Sequence, residues 1–125
     1  NDFGETVMAV TGIGGVFFRA KDPDALRQWY LTHLGVGGQG YDPWQQAAGP
    51  TLFLPFSGDT DYWSADKQWM INFRVADLDA LLVKLRKGGI DVKTDSAWDS
   101  PEVGRFARIF DPEGNQLELW EPPVE

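Results

Sequence analysis

The alternation of apolar and polar positions predicts two strand–helix units. A first strand is expected over residues 13–20 and a second over residues 69–75, because alternate side chains of a strand point to opposite faces. Leucines at helical spacing follow each strand, and the two helices should end near Gly35 and Gly88. The residues expected to pack on the helices are Val16 and Phe18, then Ile71, Phe73 and Val75.

Further short strands are predicted after each helix. They are expected at residues 44–47, 51–56, 90–93, 105–110 and 116–121. The last two should form a hairpin around Asp111-Pro112-Glu113-Gly114-Asn115, a sequence typical of a type I turn. The polar residues 57–68 separate the two units, and they are expected either to link them or to cover a pocket.

One sequence pattern occurs twice at a constant spacing. Residues 18–26 and 73–81 share F-R-x-x-D-x-D-A-L, with an offset of 55 residues. Self-similarity at a fixed offset indicates a structural unit that is built twice. We therefore predict one domain over residues 1–125, with module one at about 13–60 and module two at about 69–123. Each module is a strand, a helix and about three strands, which gives an α+β fold.

Composition excludes several classes of function. The chain has 125 residues, 42% of them apolar, which suits one domain with its own core. It has no cysteine, and therefore neither a disulfide frame nor a thiolate metal site. A net charge of -8 argues against nucleic acid as a partner and suits a cationic ligand. No apolar run approaches the roughly 18 residues of a membrane span, so a cytoplasmic protein without membrane partners is expected.

Several stretches resemble the vicinal oxygen chelate superfamily, the glyoxalase and bleomycin-resistance proteins. The resemblance covers about residues 13–123. It is carried by the repeat itself, 29–35, 70–75, Gly104-Arg105-Phe106-Ala107 and Asp111-Pro112-Glu113-Gly114-Asn115-Gln116-Leu117-Glu118-Leu119-Trp120-Glu121-Pro122. It implies two tandem βαβββ modules that form a cupped sheet with a cleft. It also implies a homodimer, since members commonly complete the cleft across two chains.

The resemblance also implies positions for metal ligands. Metal-dependent members place a ligand, usually His or Glu, on the first and last strand of each module. These positions correspond to Gly15, Phe53, Met70 and Glu118. Only Glu118 can bind a hard or borderline metal. We therefore expect no tightly held metal or other cofactor. A divalent metal that is bound weakly by Glu118 is the alternative.

Strand alternation and the resemblance together predict a ligand-binding cleft. The expected ligand-binding residues are Phe17, Trp63, Met70, Asn72, Arg74, Arg108 and Trp120. Large apolar side chains with a few fixed polar groups are typical of small-molecule pockets. Glu118 is the candidate catalytic residue, as a general base, and its alternative role is an ion pair with Arg74 or Arg108.

The sequence leaves the type of function open. The first hypothesis is a protein of the bleomycin-resistance type that binds a small organic ligand in an aromatic cleft. The second is an enzyme, a glyoxalase-like lyase or isomerase that uses Glu118 as a base or as the sole metal ligand. An interaction module without a small-molecule role is the third.

Overall fold

Two helices and a three-stranded sheet form the core of the protein in a computed structural model, which describes residues 9–124. The elements are, in chain order, α1 (Pro23–Leu34), β1 (Ile71–Arg74), α2 (Leu78–Lys87), a 3-10 turn (Ser96–Trp98), β2 (Arg105–Phe110) and β3 (Gln116–Glu121). The α+β class is as predicted. Neither helix in the described part of the chain is long and apolar enough to cross a membrane.

The two copies of the repeat start the two helices in the same way. The side chain of Asp22 accepts a hydrogen bond from the backbone N–H of Ala25 at 3.1 Å, and Asp77 accepts one from Ala80 at 3.1 Å. Each aspartate thus satisfies one of the free N–H groups at a helix start. At the other end of α1, Gly35 adopts a left-handed conformation with φ of 66°, which glycine tolerates best. The predicted helices are confirmed.

The sheet has the order β1-β3-β2, with β1 parallel and β2 antiparallel to β3. The predicted hairpin is confirmed with the expected strand bounds. The strand predicted at 69–75 is shorter, at Ile71–Arg74. The strand predicted at 90–93 is reduced to one bridge, in which Lys93 pairs with Arg108 on the outer side of β2.

The register of the strands builds the core. Ile71, Leu117 and Ile109 lie side by side across the sheet, and so do Phe73, Leu119 and Ala107. The alternation within each strand turns all six side chains toward the helices. The buried core consists of Leu26, Tyr30, Leu78, Leu82, Leu85, Ala107, Ile109, Leu117 and Leu119. The predicted helix-facing side of module two is therefore confirmed.

The strands predicted for module one are wrong for the single chain. Residues 13–20, 44–47 and 51–56 form no strand. A strand needs a neighbour for its backbone hydrogen bonds, and the described part of this chain offers these segments none. Phe17 in residues 13–20 is 94% exposed, and Phe53 in residues 51–56 is 77% exposed. These apolar side chains are therefore not buried within the single chain. Module one contributes its helix to the core and nothing to the sheet.

The β2–β3 turn of module two holds the helix of module one. The hydroxyl of Tyr30 in α1 donates a hydrogen bond of 2.6 Å to Asp111. The carboxylate of Glu113 accepts hydrogen bonds from the backbone N–H groups of Lys21 and Asp22, at 2.6 and 2.9 Å. These two backbone hydrogen bonds keep the pKa of Glu113 below its ordinary value. Side chains of the turn therefore fix both the start and the middle of α1.

Asp111 is a buried carboxylate that also closes the turn itself. Besides Tyr30, it accepts hydrogen bonds from the backbone N–H groups of Glu113 and Asn115 and from the side-chain amide of Asn115, at 2.7 to 3.0 Å. Only 4% of its surface is exposed. A buried carboxylate is tolerated when such bonds replace its hydration. Burial first, and then Asp111 as acceptor and charge, hold the pKa of Tyr30 well above its ordinary value.

We predict that Tyr30→Phe lowers the free energy of unfolding by about 1.5–3 kcal/mol, because buried Asp111 loses one of its donors. Urea denaturation at neutral pH, followed by circular dichroism, measures this loss. The pKa of Tyr30 is higher in the folded protein than the value of 10.0 in the unfolded chain. The stability that the protonated hydroxyl contributes is therefore fully present below pH 10.0 and is lost as the pH rises above that value. The difference between wild type and variant should therefore shrink in alkaline solution.

The matched control for this prediction is Tyr41→Phe, since the Tyr41 ring is fully exposed. This variant should unfold at the same urea concentration as wild type. Equal midpoints for Tyr30→Phe and wild type at neutral pH would contradict the role given to the Tyr30–Asp111 bond.

Candidate functional site

The face of the sheet that points away from the helices carries polar side chains from all three strands. We call it the open face and define it by Asn72, Arg74, Phe106, Arg108, Gln116, Glu118 and Trp120. Asn72, Glu118 and Arg108 form one row across the strands. Arg74, Trp120 and Phe106 form the next row. Strand alternation thus assembles a charged row beside an aromatic one.

Glu118 lies at the centre of the open face, with both carboxylate oxygens hydrogen-bonded. The side-chain amide of Asn72 donates to Oε1 at 2.7 Å, and the hydroxyl of Tyr62 donates to Oε2. The predicted ion pair with Arg74 or Arg108 is wrong, because neither guanidinium lies within ion-pair distance of Glu118 among the residues described. The carboxylate is held by neutral donors on either side.

Arg108 lies close to two aromatic rings. Its guanidinium carbon is 4.8 Å from the centre of the Trp98 ring and 5.3 Å from the centre of the Tyr62 ring. Both distances are within the range of a cation–π interaction. Trp98 reaches this position through the 3-10 turn, in which Asp95 accepts a hydrogen bond from the N–H of Ala97 at 2.9 Å. The charge of Arg108 therefore faces π-electrons and not a carboxylate.

Tyr62 contacts both charged groups of this row, Glu118 through its hydroxyl and Arg108 through its ring. Burial, followed by the hydrogen bond to Glu118, raises the pKa of Tyr62, while Arg108 opposes the rise. The phenol therefore stays protonated at neutral pH and remains a donor to Glu118. Its backbone carbonyl accepts a hydrogen bond of 2.9 Å from the side-chain amide of Gln116, and its ring lies 5.8 Å from that of Phe56.

The aromatic row has its own fixed geometry. The rings of Phe106 and Trp120 stack at 6.5 Å with an angle of 13° between their planes. The indole N–H of Trp120 donates to the carbonyl of Val103 at 2.7 Å, which fixes the ring. Arg74, at the end of this row, donates to the backbone carbonyls of Ala47 and Pro50, at 2.7 and 2.6 Å. Arg74 thus anchors a loop against the open face.

The structure places most predicted ligand-binding residues on one face. Asn72, Arg74, Arg108, Glu118 and Trp120 are all strand residues of the open face. Met70 precedes β1, and its sulfur accepts from Gln116 at 3.3 Å. Trp63 lies next to Tyr62 and stacks edge-on against Phe56 at 5.1 Å. Phe17 is not brought to this face by any strand and is exposed.

Tyr62 and Trp98 were not among the predicted site residues. Both are aromatic residues in polar segments without periodicity, and that position alone was the signal available in the sequence. Gln116 was also missed, although it lies two positions before Glu118 and therefore on the same face of β3.

Within the part of the chain that the structure describes, the side chains do not fit a tightly held metal. Among residues 9–124 no group of three or more His, Cys, Asp or Glu side chains could hold an ion. The implied ligand positions of Gly15, Phe53 and Met70 supply no hard donor, and both oxygens of Glu118 already accept hydrogen bonds. Stable transition-metal sites need three or four protein ligands. No step of the function is therefore assigned to a metal.

A cavity of about 600 Å³ lies elsewhere, between the start of α1 and the β2–β3 turn. Its lining includes Arg19, Lys21, Lys67 and Glu113. The Glu113 carboxylate in this cavity already binds the backbone of α1. We therefore treat this cavity as the junction between α1 and the turn. The candidate ligand site is the open face, where the fixed donors, acceptors and rings lie together.

Comparisons with other proteins identify the fold. No family model matches the chain, and no curated protein sequence does. Among solved structures, TnmS3, an antibiotic binding protein from Streptomyces sp. CB03234, aligns over 93% of this chain and 99% of its own, with 21% identity and a TM-score of 0.57. This full-length superposition shows the fold.

Two further structures are similar over shorter stretches. A glyoxalase family protein from Bacillus anthracis is 34% identical over 45% of this chain, with a TM-score of 0.38. A glyoxalase/bleomycin resistance protein from Streptomyces sp. CB03234 is 29% identical over 43%, with a TM-score of 0.33. The aligned stretches span 43% and 46% of those two proteins, respectively. Of these three alignments, the one with TnmS3 covers most of both chains, and it shows that this chain has a glyoxalase-like fold.

Proposed function

We propose that the protein binds a small organic ligand on the open face, at Glu118, without a tightly bound metal. The observation that carries this proposal is the row in which Asn72 and Tyr62 hold Glu118 while Trp98 and Tyr62 flank Arg108. A few fixed polar groups among aromatic side chains are the usual composition of a small-molecule site. TnmS3, which shares the fold, is an antibiotic binding protein, and this supports an organic ligand.

Charge favours a ligand that is neutral or cationic overall. The chain carries a net charge of -8, and Glu118 is the carboxylate at the centre of the open face. An anionic ligand would be repelled by both. The positive charge of Arg108 is partly compensated by its two aromatic neighbours, so it attracts anions less than a free guanidinium does.

We predict that aromatic compounds bind to the wild-type protein and quench its tryptophan fluorescence, since Trp98 and Trp120 lie at the open face. Glu118→Gln should weaken the tightest-binding compound about tenfold, because a charge-assisted hydrogen bond becomes a neutral one. Fluorescence titration of a small panel of cationic, neutral and anionic aromatic compounds measures both effects. Binding should be unchanged after treatment with EDTA.

The matched control is Glu102→Gln, an exposed glutamate in the loop before β2. It should bind the same compound as wild type does. Binding that is insensitive to Glu118→Gln would contradict the proposed site. Turnover of a substrate that is lost with both EDTA and Glu118→Gln would favour the lyase or isomerase hypothesis instead.

We propose in addition that the protein is a homodimer completed by module one. Strand β1 is an edge of the sheet, and residues 13–20 and 51–56 have no strand partner within residues 9–124 of the single chain. A second copy would supply neighbours for these segments and cover Phe17 and Phe53. The offset repeat supports this arrangement, because it gives module one the same strand pattern as module two.

Analytical ultracentrifugation should therefore show a dimer, and Phe17→Ser with Phe53→Ser should shift it to monomer at micromolar concentration. The loss of two buried aromatic side chains weakens an interface by several kcal/mol, by about 1.5–3 kcal/mol for each side chain. Val83→Ser on the exposed side of α2 is the control and should leave the dimer intact. A wild-type monomer at high concentration would contradict this assembly.

A further inference from the structure

We infer that Tyr62 occupies the ligand position of the open face as an internal stand-in, and that the ligand carries a phenolic ring which replaces it. This inference rests on the proposed function and names the chemistry of the ligand. The Tyr62 side chain combines the two features that such a ligand needs. Its hydroxyl donates to Glu118, and its ring lies 5.3 Å from the guanidinium of Arg108.

Tyr62 is placed on a segment that can leave the open face at low cost. Among the residues described, no backbone-to-backbone hydrogen bond joins residues 56–68 to the sheet. The backbone-to-backbone hydrogen bonds of this segment are internal: the N–H of Thr60 donates to the carbonyl of Ser57, and the N–H of Lys67 donates to the carbonyl of Ser64. The segment is held through side chains: Gln116 donates to the Tyr62 carbonyl, the Tyr62 hydroxyl donates to Glu118, and the Lys67 ammonium donates to the carbonyl of Glu113 at 3.4 Å. Side-chain contacts of this kind open more readily than a strand ladder.

The groups that Tyr62 contacts remain in place without it. Asn72 continues to hold Oε1 of Glu118, and Trp98 continues to cover one face of Arg108. The departure of Tyr62 removes the donor to Oε2 of Glu118 and one of the two rings next to the guanidinium. A ligand restores both contacts only if it brings a hydrogen-bond donor and an aromatic ring with the same spacing as in Tyr62. A bare ring would leave this partly exposed carboxylate oxygen to water, whereas a charge-assisted hydrogen bond from the ligand adds affinity, so a ring alone is a poor substitute.

Arg108 also sets the charge of this part of the ligand. A cationic ring over the guanidinium would be repelled, whereas a neutral phenol presents its π-face to the charge. A phenolate would be repelled by Glu118 and could not donate a hydrogen bond. The ring that enters this position is therefore a neutral phenol, and any positive charge of the ligand lies away from Arg108.

The test uses Tyr62→Ala and two probes, p-cresol and toluene. The first is the tyrosine side chain as a free molecule, and the second is the same ring without the hydroxyl. We expect p-cresol to bind Tyr62→Ala about tenfold tighter than toluene does, because only p-cresol donates to Glu118. It should also bind Tyr62→Ala about tenfold tighter than wild type, where Tyr62 competes. Isothermal titration and tryptophan quenching measure both ratios.

Two further variants keep the outcome decisive. Tyr41→Ala removes an exposed tyrosine elsewhere and should bind p-cresol as wild type does. Tyr62→Phe retains the ring and loses the hydroxyl, so its affinity for p-cresol should fall between those of wild type and Tyr62→Ala. It serves as the test if circular dichroism shows that Tyr62→Ala does not fold. Adding Glu118→Gln to Tyr62→Ala should reduce the preference for p-cresol over toluene.

Equal affinity of Tyr62→Ala for p-cresol and toluene would overturn the inference, and so would equal affinity of wild type and Tyr62→Ala for p-cresol. The panel titration keeps this failure separate from a failure of the proposed function. If wild type binds a panel compound through Glu118 while Tyr62→Ala shows neither preference, only the stand-in role is wrong. If the preferences appear in Tyr62→Ala but wild type binds no panel compound, Tyr62 has the contacts described, whereas the proposed function is wrong and so is the exchange of Tyr62 for a ligand.

Discussion

The buried carboxylate of Asp111 is the constraint on which the rest of this structure depends. It closes the turn between β2 and β3 through hydrogen bonds from Glu113 and Asn115, and it accepts the hydroxyl of Tyr30 from α1. One side chain therefore fixes both the hairpin and the helix that packs on it. Because a buried carboxylate must keep its donors, the alternatives to this arrangement are costly.

The register set by this turn decides which side chains face outward. Side chains alternate along a strand, so a shift of one residue in β3 would bury Glu118 and expose Leu117 and Leu119. In the register observed, Glu118 lies between Asn72 and Arg108, and the leucines lie in the core. The candidate site is thus a direct consequence of the hairpin geometry, and the loops add Tyr62 and Trp98 to it.

The sequence was sufficient for the local features of this fold. Helix starts at Asp22 and Asp77, the bounds of the hairpin and the two faces of β3 all follow from capping residues, turn residues and alternation. Features that depend on contacts between residues far apart in the sequence could not be predicted. Residues 13–20 and 51–56 have strand-like patterns, but a strand forms only where another backbone is available.

The candidate site shows the same division. Alternation placed Asn72, Glu118 and Trp120 on one face, whereas the partner of Glu118 could not be read from periodicity. The ion pair expected from charge is replaced by Tyr62, which comes from a segment with no repeating pattern. Non-periodic loops are positioned by their contacts and not by propensity, so the sequence does not predict that Tyr62 and Trp98 lie at this site.

The most direct test of the central claim is a crystal structure of the protein with the tightest-binding aromatic compound from the titration. The account predicts electron density for this compound on the open face, with a donor group toward Glu118 and a ring beside Arg108 and Trp98. Density in the cavity lined by Arg19, Lys67 and Glu113, with Tyr62 still bonded to Glu118, would contradict it.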